Sequence, residues 1–147
     1  MPSPRQLALQ IQINEKASLD NFYVSKKNLK TINILKSLIN QEDMGAQIFI
    51  DDYGSNGKTY LLQAICNDFA NKSQSSIYIP LQKFIKLETS LLSGVEGLDL
   101  ICIDDVHLIS NHKEWELALF NLINECYEKN CFLILSGNIN QFKAIPD

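Results

Sequence analysis

This sequence is poor in the features that mark the most easily recognised function classes. Its four cysteines, Cys66, Cys102, Cys126 and Cys131, form no C-x-x-C pair. No histidine stands at a zinc-site spacing from them, so neither a zinc motif nor a dithiol redox motif is present. Cys66 and Cys102 fall in apolar runs, where cysteine serves as a small hydrophobe, and reduced thiols in a cytoplasmic protein are expected. The opening residues MPSPRQLALQIQ lack the apolar stretch of a signal peptide. No later run approaches membrane-spanning length, and no membrane partner is expected. Basic excess is also missing: the formal charge is -4, which argues against a domain that grips nucleic acid directly. The cluster Lys26, Lys27, Lys30 and Lys36 reads as a solvated helix face. No internal repeat or low-complexity segment occurs.

What is present is an alternation of two kinds of apolar pattern. The 147 residues suffice for one domain with a real core and are too few for two comfortable ones. From Ser25 to Gln41, Leu29, Ile32, Leu35, Leu38 and Ile39 recur at helical spacing, with Ser25 available as a cap. AQIFID (46–51) reads as a strand, and a helix follows from about Lys58 to Asn71, burying Leu61, Leu62, Ile65 and Phe69. SIYIP (76–80) reads as a second strand and 81–92 as a helix. LDLICID (98–104) is a third strand, apolar on both faces. A long helix is expected from His112 to Lys129, with Trp115, Leu119, Leu122, Ile123 and Cys126 on one stripe, followed by the strand CFLILS (131–136). Continuous apolar strands separated by amphipathic helices indicate an α/β fold, a mostly parallel sheet covered on both faces as a three-layer αβα sandwich.

The segment DDYGSNGKT (51–59) carries the chemistry. It ends as a phosphate-binding loop ends, behind a strand and before a helix, but Asp52 stands where the pattern G-x-x-x-x-G-K-[ST] asks for glycine. In such a loop, successive N–H groups and the helix N-terminus make an anion site. Gly57 would let the backbone approach phosphate, Lys58 would reach the β- and γ-phosphates, and the Thr59 hydroxyl would take a magnesium position. Gly54 and Asn56 tolerate the left-handed angles such a curl needs. A plain turn before a helix would read the same way if the motif stood alone. Downstream, the third strand ends in Asp104-Asp105, at the strand end where ligands sit in parallel sheets. Asp104 is the candidate for the magnesium shell and Asp105 for polarising the attacking water, against two merely solvated aspartates. Ser136-Gly137-Asn138 closes the fourth strand, and the amide of Asn138 is placed to bond water or phosphate, although this is also ordinary turn chemistry.

These segments resemble the AAA+ family of P-loop proteins, in its DnaA-related branch. DNFYVSKKN (20–28), with Phe22 and Tyr23, resembles the segment that packs on adenine. GSNGKTYLLQAI (54–65) is similar to the Walker A loop and helix, so the resemblance assigns nucleotide contacts to Gly54, Ser55, Asn56, Gly57, Lys58, Thr59 and Tyr60. LDLICIDDVHLI (98–109) is similar to the Walker B strand, and LILSGNINQ (133–141) to the sensor 1 strand. Within the branch, RQLALQI (5–11) resembles the clamp-binding peptide of the Hda-type regulators, with Gln6, Leu7, Leu9 and Ile11 as its anchors; an edge strand or a disordered tail would also fit it. Glu114-Trp115-Glu116 sits where those regulators carry Leu-Trp-Glu. The resemblance implies ADP or ATP with Mg2+ as ligands and the polymerase sliding clamp and the DnaA initiator as partners. DNA would be met indirectly, through the clamp. The implied organisation is a clamp-binding peptide and linker over 1–16 and a nucleotide-binding domain over 17–147.

Three departures qualify those expectations. Asp52 would repel phosphates by roughly 1–4 kcal/mol at ~4 Å if its carboxylate faced them, whereas a side chain pointing outward leaves the amide cradle intact; weakened binding and poor turnover are expected. Asp105 stands where many relatives hold glutamate, one methylene longer, and Gln10 replaces a proline or bulky apolar residue of the clamp peptide. The sequence ends at Asp147, before the family's arginine-finger segment, fifth strand and helical lid. The expectation is therefore a core incomplete at its C-terminus, with AQIFID as an exposed sheet edge open to self-association.

Overall fold

The computed structural model describes residues 13–26, 28–40, 46–51 and 57–138. Four strands, β1 (Gln47–Asp51), β2 (Ser76–Pro80), β3 (Leu100–Asp104) and β4 (Phe132–Gly137), pair in parallel in the order β1-β4-β3-β2. The central strand β3 is buried along its whole length, as its unbroken apolar run requires, whereas β1 at the end of the order is only partly buried. Asp104 pairs with Pro80, Ile103 with Leu135, and Asp51 with Gly137, so all four strands deliver their C-terminal ends to one side.

Helices cover both faces of the sheet. On one, α1 (Leu29–Ile39) and α2 (Lys58–Asn71) bury Ile32, Leu35, Leu38, Leu61, Leu62, Ile65 and Phe69 against Tyr78, Leu100, Cys102, Phe132 and Ile134. On the other, α3 (Leu81–Phe84) and α4 (Lys113–Lys129) bury Phe84, Trp115, Leu119, Leu122 and Cys126 against Ile77, Ile79, Ile101, Ile103 and Leu133. The two-residue period of a strand sorts these sets, and by the same period Tyr78, Asp104 and Ser136 share the α2 face. All four cysteines are free and buried, and burial, followed by the neighbouring Cys66, pushes the Cys102 thiol well above its usual range.

Local chemistry moves some boundaries. The helical pattern over 81–92 breaks after Phe84 into turns and a short 3-10 segment, Thr89–Leu92. Thr89 and Ser90 disfavour a helix interior, and the Ser90 hydroxyl bonds Glu88 instead (3.3 Å). The first helix starts at Leu29 rather than near Ser25. Asn28 accepts the Ser25 N–H through its side chain (2.8 Å), making a turn that delays it, and Leu29 is exposed. At the other extreme α2 begins and ends at the expected residues, and α4 closes on Asn130 in the left-handed region, with the Cys131 N–H bonded to the Cys126 carbonyl.

Residues 13–22 strap across α2. Asn67 donates to the carbonyls of Asn14 and Ala17, and the Leu19 N–H donates to Asp68, whose carboxyl is shifted upward chiefly by burial. Ser18 caps a short 3-10 turn, Leu19–Asn21, which leads Phe22 to the start of α2. The packing between α2 and the sheet centres on Phe69, fully buried and edge-on to Phe132 with ring centroids 5.7 Å apart. Phe69→Ala is expected to cost about 3–5 kcal/mol, seen as a lowered urea midpoint with an unchanged slope.

Candidate functional site

The site gathers where α2 begins and β3 and β4 end. Gly57 precedes α2, and a Cβ there would stand 3.2 Å from Cζ of Phe22, so the ring closes over a position that suits glycine. Lys58 and Thr59 occupy the first turn of α2, where the helix dipole favours an anion. The Lys58 ammonium lies 2.9 Å from Oδ1 of Asp105 and 4.0 Å from Oδ1 of Asp104. Both partners of the closer pair are largely buried, so screening by solvent is weak.

Asp104 is 2 % exposed, and a carboxylate so deeply buried needs donors. Oδ2 accepts the hydroxyls of Thr59 (2.6 Å) and Tyr78 (2.8 Å), and Oδ1 accepts that of Ser136 (2.5 Å). Burial, then the charge of Asp104, pushes the Tyr78 hydroxyl far above its usual range, so the phenol stays protonated and donates. Ser136 accepts the Asp105 N–H at 3.3 Å, which ties the two aspartates to β4.

Asp105 turns the chain sharply, with φ 58° and ψ 45°, a left-handed conformation that aspartate and asparagine tolerate better than most residues. The turn feeds a 3-10 segment, Val106–Ile109, that passes beside β4. A Cβ at Gly137 would stand 3.2 Å from both the backbone nitrogen and Nδ1 of His107, so this approach calls for glycine. One residue on, the Asn138 N–H donates to His107 Nδ1 (3.0 Å).

Of the sequence candidates, the structure brings Gly57, Lys58, Thr59, Asp104 and Asp105 together, with Asn138 held at the same end by His107. Phe22 packs on Tyr60 with centroids 5.6 Å apart, and the Tyr60 hydroxyl accepts the Ser18 N–H (3.3 Å). Tyr23 turns to solvent, 83 % exposed, and does not join the cluster. Gly54, Ser55 and Asn56, the substituted Asp52, and Gln6, Leu7, Leu9 and Ile11 lie outside the described residues. Sequence reasoning did not single out Tyr78 or His107. Tyr78 was findable, since strand alternation places it on the same face as Asp104. A groove of about 470 Å³ lies between α4 and Thr89–Ser93 and contains none of these residues.

Among the described residues no set of three acidic, histidine or cysteine side chains gathers as a cation cage. A magnesium ion fits the donors present only in company with phosphate oxygens, the ordinary mode for that ion. The Thr59 hydroxyl donates its hydrogen bond to Asp104, which leaves its oxygen lone pairs as the ligand a hard cation would use.

The sequence profile of the bacterial DnaA ATPase domain matches residues 13–143. The chain belongs to that family. An uncharacterized protein of Haemophilus influenzae is 35% identical over 133 residues, covering 89% of this chain and 56% of that one. The structure of a replication initiator DnaA bound to AMPPCP and single-stranded DNA superposes with a TM-score of 0.82 at 24% identity, covering 93% of this chain and 47% of that chain. Domain III of the Thermotoga maritima DnaA superposes with a TM-score of 0.70 at 21% identity, covering 87% and 58%. The sequence thus spans about half the length of these relatives. The fold is the AAA+ P-loop type, the α/β sandwich expected from the alternating apolar pattern.

Asp105 tests the turn directly. Asp105→Asn keeps a residue suited to left-handed angles, whereas Asp105→Ala does not; both remove the charge facing Lys58. The alanine variant is expected to be about 1 kcal/mol less stable than the asparagine variant by chemical denaturation.

Proposed function

We propose that this domain binds an adenine nucleotide, ADP or ATP, together with Mg2+. The proposal goes on to a regulator of replication initiation of the Hda type, acting in the cytoplasm, that docks on the sliding clamp and promotes inactivation of ATP-bound DnaA. The observation that carries the nucleotide site is the convergence of Lys58, Thr59, Asp104 and Asp105 at the start of α2. Membership of the bacterial DnaA ATPase family supports the link to initiation. The clamp contact rests on the likeness of Gln6, Leu7, Leu9 and Ile11 to a clamp-binding peptide.

Each residue has a role in this reading. Lys58 supplies positive charge to the phosphates, and the α2 N-terminus adds its amides. Gly57, with Gly54, Ser55, Asn56 and Tyr60, completes the phosphate cradle, and Phe22 packs beside it against the adenine, with Tyr23 at the outer edge. Thr59 presents its hydroxyl oxygen to the cation, and Asp104 acts on the cation through that hydroxyl. When bound, magnesium neutralises phosphate charge. Asp105 faces Lys58 and is the group placed to orient a water, with Asn138 nearby to bond it. An aspartate reaches less far than a glutamate, which favours holding nucleotide over turning it over. The second reading, a stand-alone ATPase of the DnaA or helicase-loader type, is favoured by the completeness of the Asp104–Asp105–Asn138 set.

Thermal melts and phosphate release separate the two. ADP with Mg2+ at about 100 times its Kd should stabilise the domain by ~2.7 kcal/mol. Lys58→Ala should remove most of that shift, and phosphate release should be negligible for the wild type. Turnover at the rate of a working ATPase would favour the second reading. No stabilisation by either nucleotide would refute both.

For the clamp contact, the double change Leu7→Ala with Leu9→Ala is expected to abolish retention on immobilised sliding clamp. Undiminished retention would assign clamp binding, if any, to other residues.

A further inference from the structure

We infer that Tyr78 is a positioning residue that couples the divalent cation to nucleotide binding, by holding Oδ2 of Asp104 against the Thr59 hydroxyl. The inference rests on the nucleotide–magnesium reading above and assigns a residue outside the phosphate loop and the two strand-end aspartates.

The geometry points to it in three steps. First, Thr59 can offer lone pairs to a cation only while its proton is directed elsewhere, and Asp104 Oδ2 at 2.6 Å is where that proton goes. Second, the terminal torsion of an aspartate is soft, so a carboxylate holds its aim only if its oxygens are pinned. Ser136 pins Oδ1 and Tyr78 pins Oδ2 at 2.8 Å. Third, Tyr78 is 3 % exposed and Asp104 2 %, leaving the pair shut off from bulk solvent.

The residue type suits the distance. Tyr78 lies in register with Cys102, two residues short of Asp104, a gap of roughly 7 Å along the strand. A phenol spans that gap along the face beneath α2, where serine or threonine would fall short. Its ring packs in the same core as Leu62 and Ile65. Ser136 does different work. It bonds both Oδ1 and the Asp105 N–H, so it orients the second aspartate, whereas Tyr78 shares its acceptor oxygen with Thr59. On α2, Gln63 accepts the Asn14 N–H at 3.1 Å, so the strap of residues 13–22 is tied to the helix that carries Thr59.

The test is a magnesium titration of ADP binding, read by melting temperature and by calorimetry, with EDTA as the metal-free arm. Tyr78→Phe keeps the ring and removes the donor. The apparent Mg2+ affinity should fall about tenfold, as for other residues that orient a metal ligand. ADP affinity in EDTA should stay within about twofold of wild type, a split that a merely structural defect would not give. In a Thr59→Val background, Tyr78→Phe should add nothing further to the Mg2+ dependence. Tyr78→Leu, which also lacks the hydroxyl, serves if the phenylalanine variant does not fold. An unchanged Mg2+ dependence in the hydroxyl-free variant would overturn the inference, as would an equal loss with and without metal. If the wild type binds ADP with no Mg2+ effect, this inference fails while the nucleotide site stands. Wild type that binds no nucleotide sinks both.

Discussion

Everything at this end of the molecule is arranged around one buried negative charge. Burying a carboxylate as completely as Asp104 costs several kcal/mol unless donors replace the water it loses. Three hydroxyls do so here, from α2, β2 and β4, with the Lys58 ammonium 4.0 Å away. The requirement runs in both directions. Because each donor comes from a separate element, the carboxylate is satisfied only when β2, β3, β4 and the first turn of α2 are in their native register. A single buried charge therefore works as a check on the sheet order and as the anchor of the candidate site.

The charge balance bears on what can enter. Among the described residues that line the cluster, two carboxylates face one ammonium, and the α2 N-terminus contributes roughly half a positive charge. A polyphosphate arriving alone would meet a site without surplus positive charge. A divalent cation arriving with it would change the sign, and on the proposed reading the Thr59 hydroxyl oxygen receives that cation. On the proposed reading, nucleotide and magnesium would act as one ligand, which makes the aim of the Thr59 hydroxyl more consequential than its small size implies.

The layers, the strand sequence and α2 were legible because their signal is local: unbroken apolar runs for buried strands, a clean stripe for the helix, and Gly-Lys-Thr at its start. The same period placed Trp115, Leu119, Leu122 and Cys126 on the buried side of α4. The helix expected over 81–92 failed for a reason that periodicity cannot register. Leu81, Phe84 and Leu92 are all buried, but the one-turn helix α3 and a 3-10 segment bury them as well as a continuous helix would. Within the site, Lys58, Thr59, Asp104 and Asp105 could be named because a motif carries them. Tyr78 and His107 belong to no motif; their roles depend on which strands are neighbours and how far a side chain reaches across them. Tyr23 illustrates the converse, a residue named by its segment and then turned to solvent by the turn that brings Phe22 inward.

The exit from β3 shows how strain and packing are combined. Holding Asp105 at φ 58° is unfavourable for most residues by about 1–2 kcal/mol, and a straighter path would avoid it. The turn instead brings Val106 and His107 against Gly137, where the absence of a side chain permits backbone contact. That contact lets a ring nitrogen of His107 take the Asn138 N–H, while Ser136 one step earlier takes the Asp105 N–H. Two cross-links between the same pair of strand ends, one on each side of Gly137, leave little freedom for Asp105 to shift relative to Asn138. On the proposed reading, that rigidity matters more than the relaxed turn it replaces, because Asp105 and Asn138 could act on one water or phosphate group only while their separation is fixed.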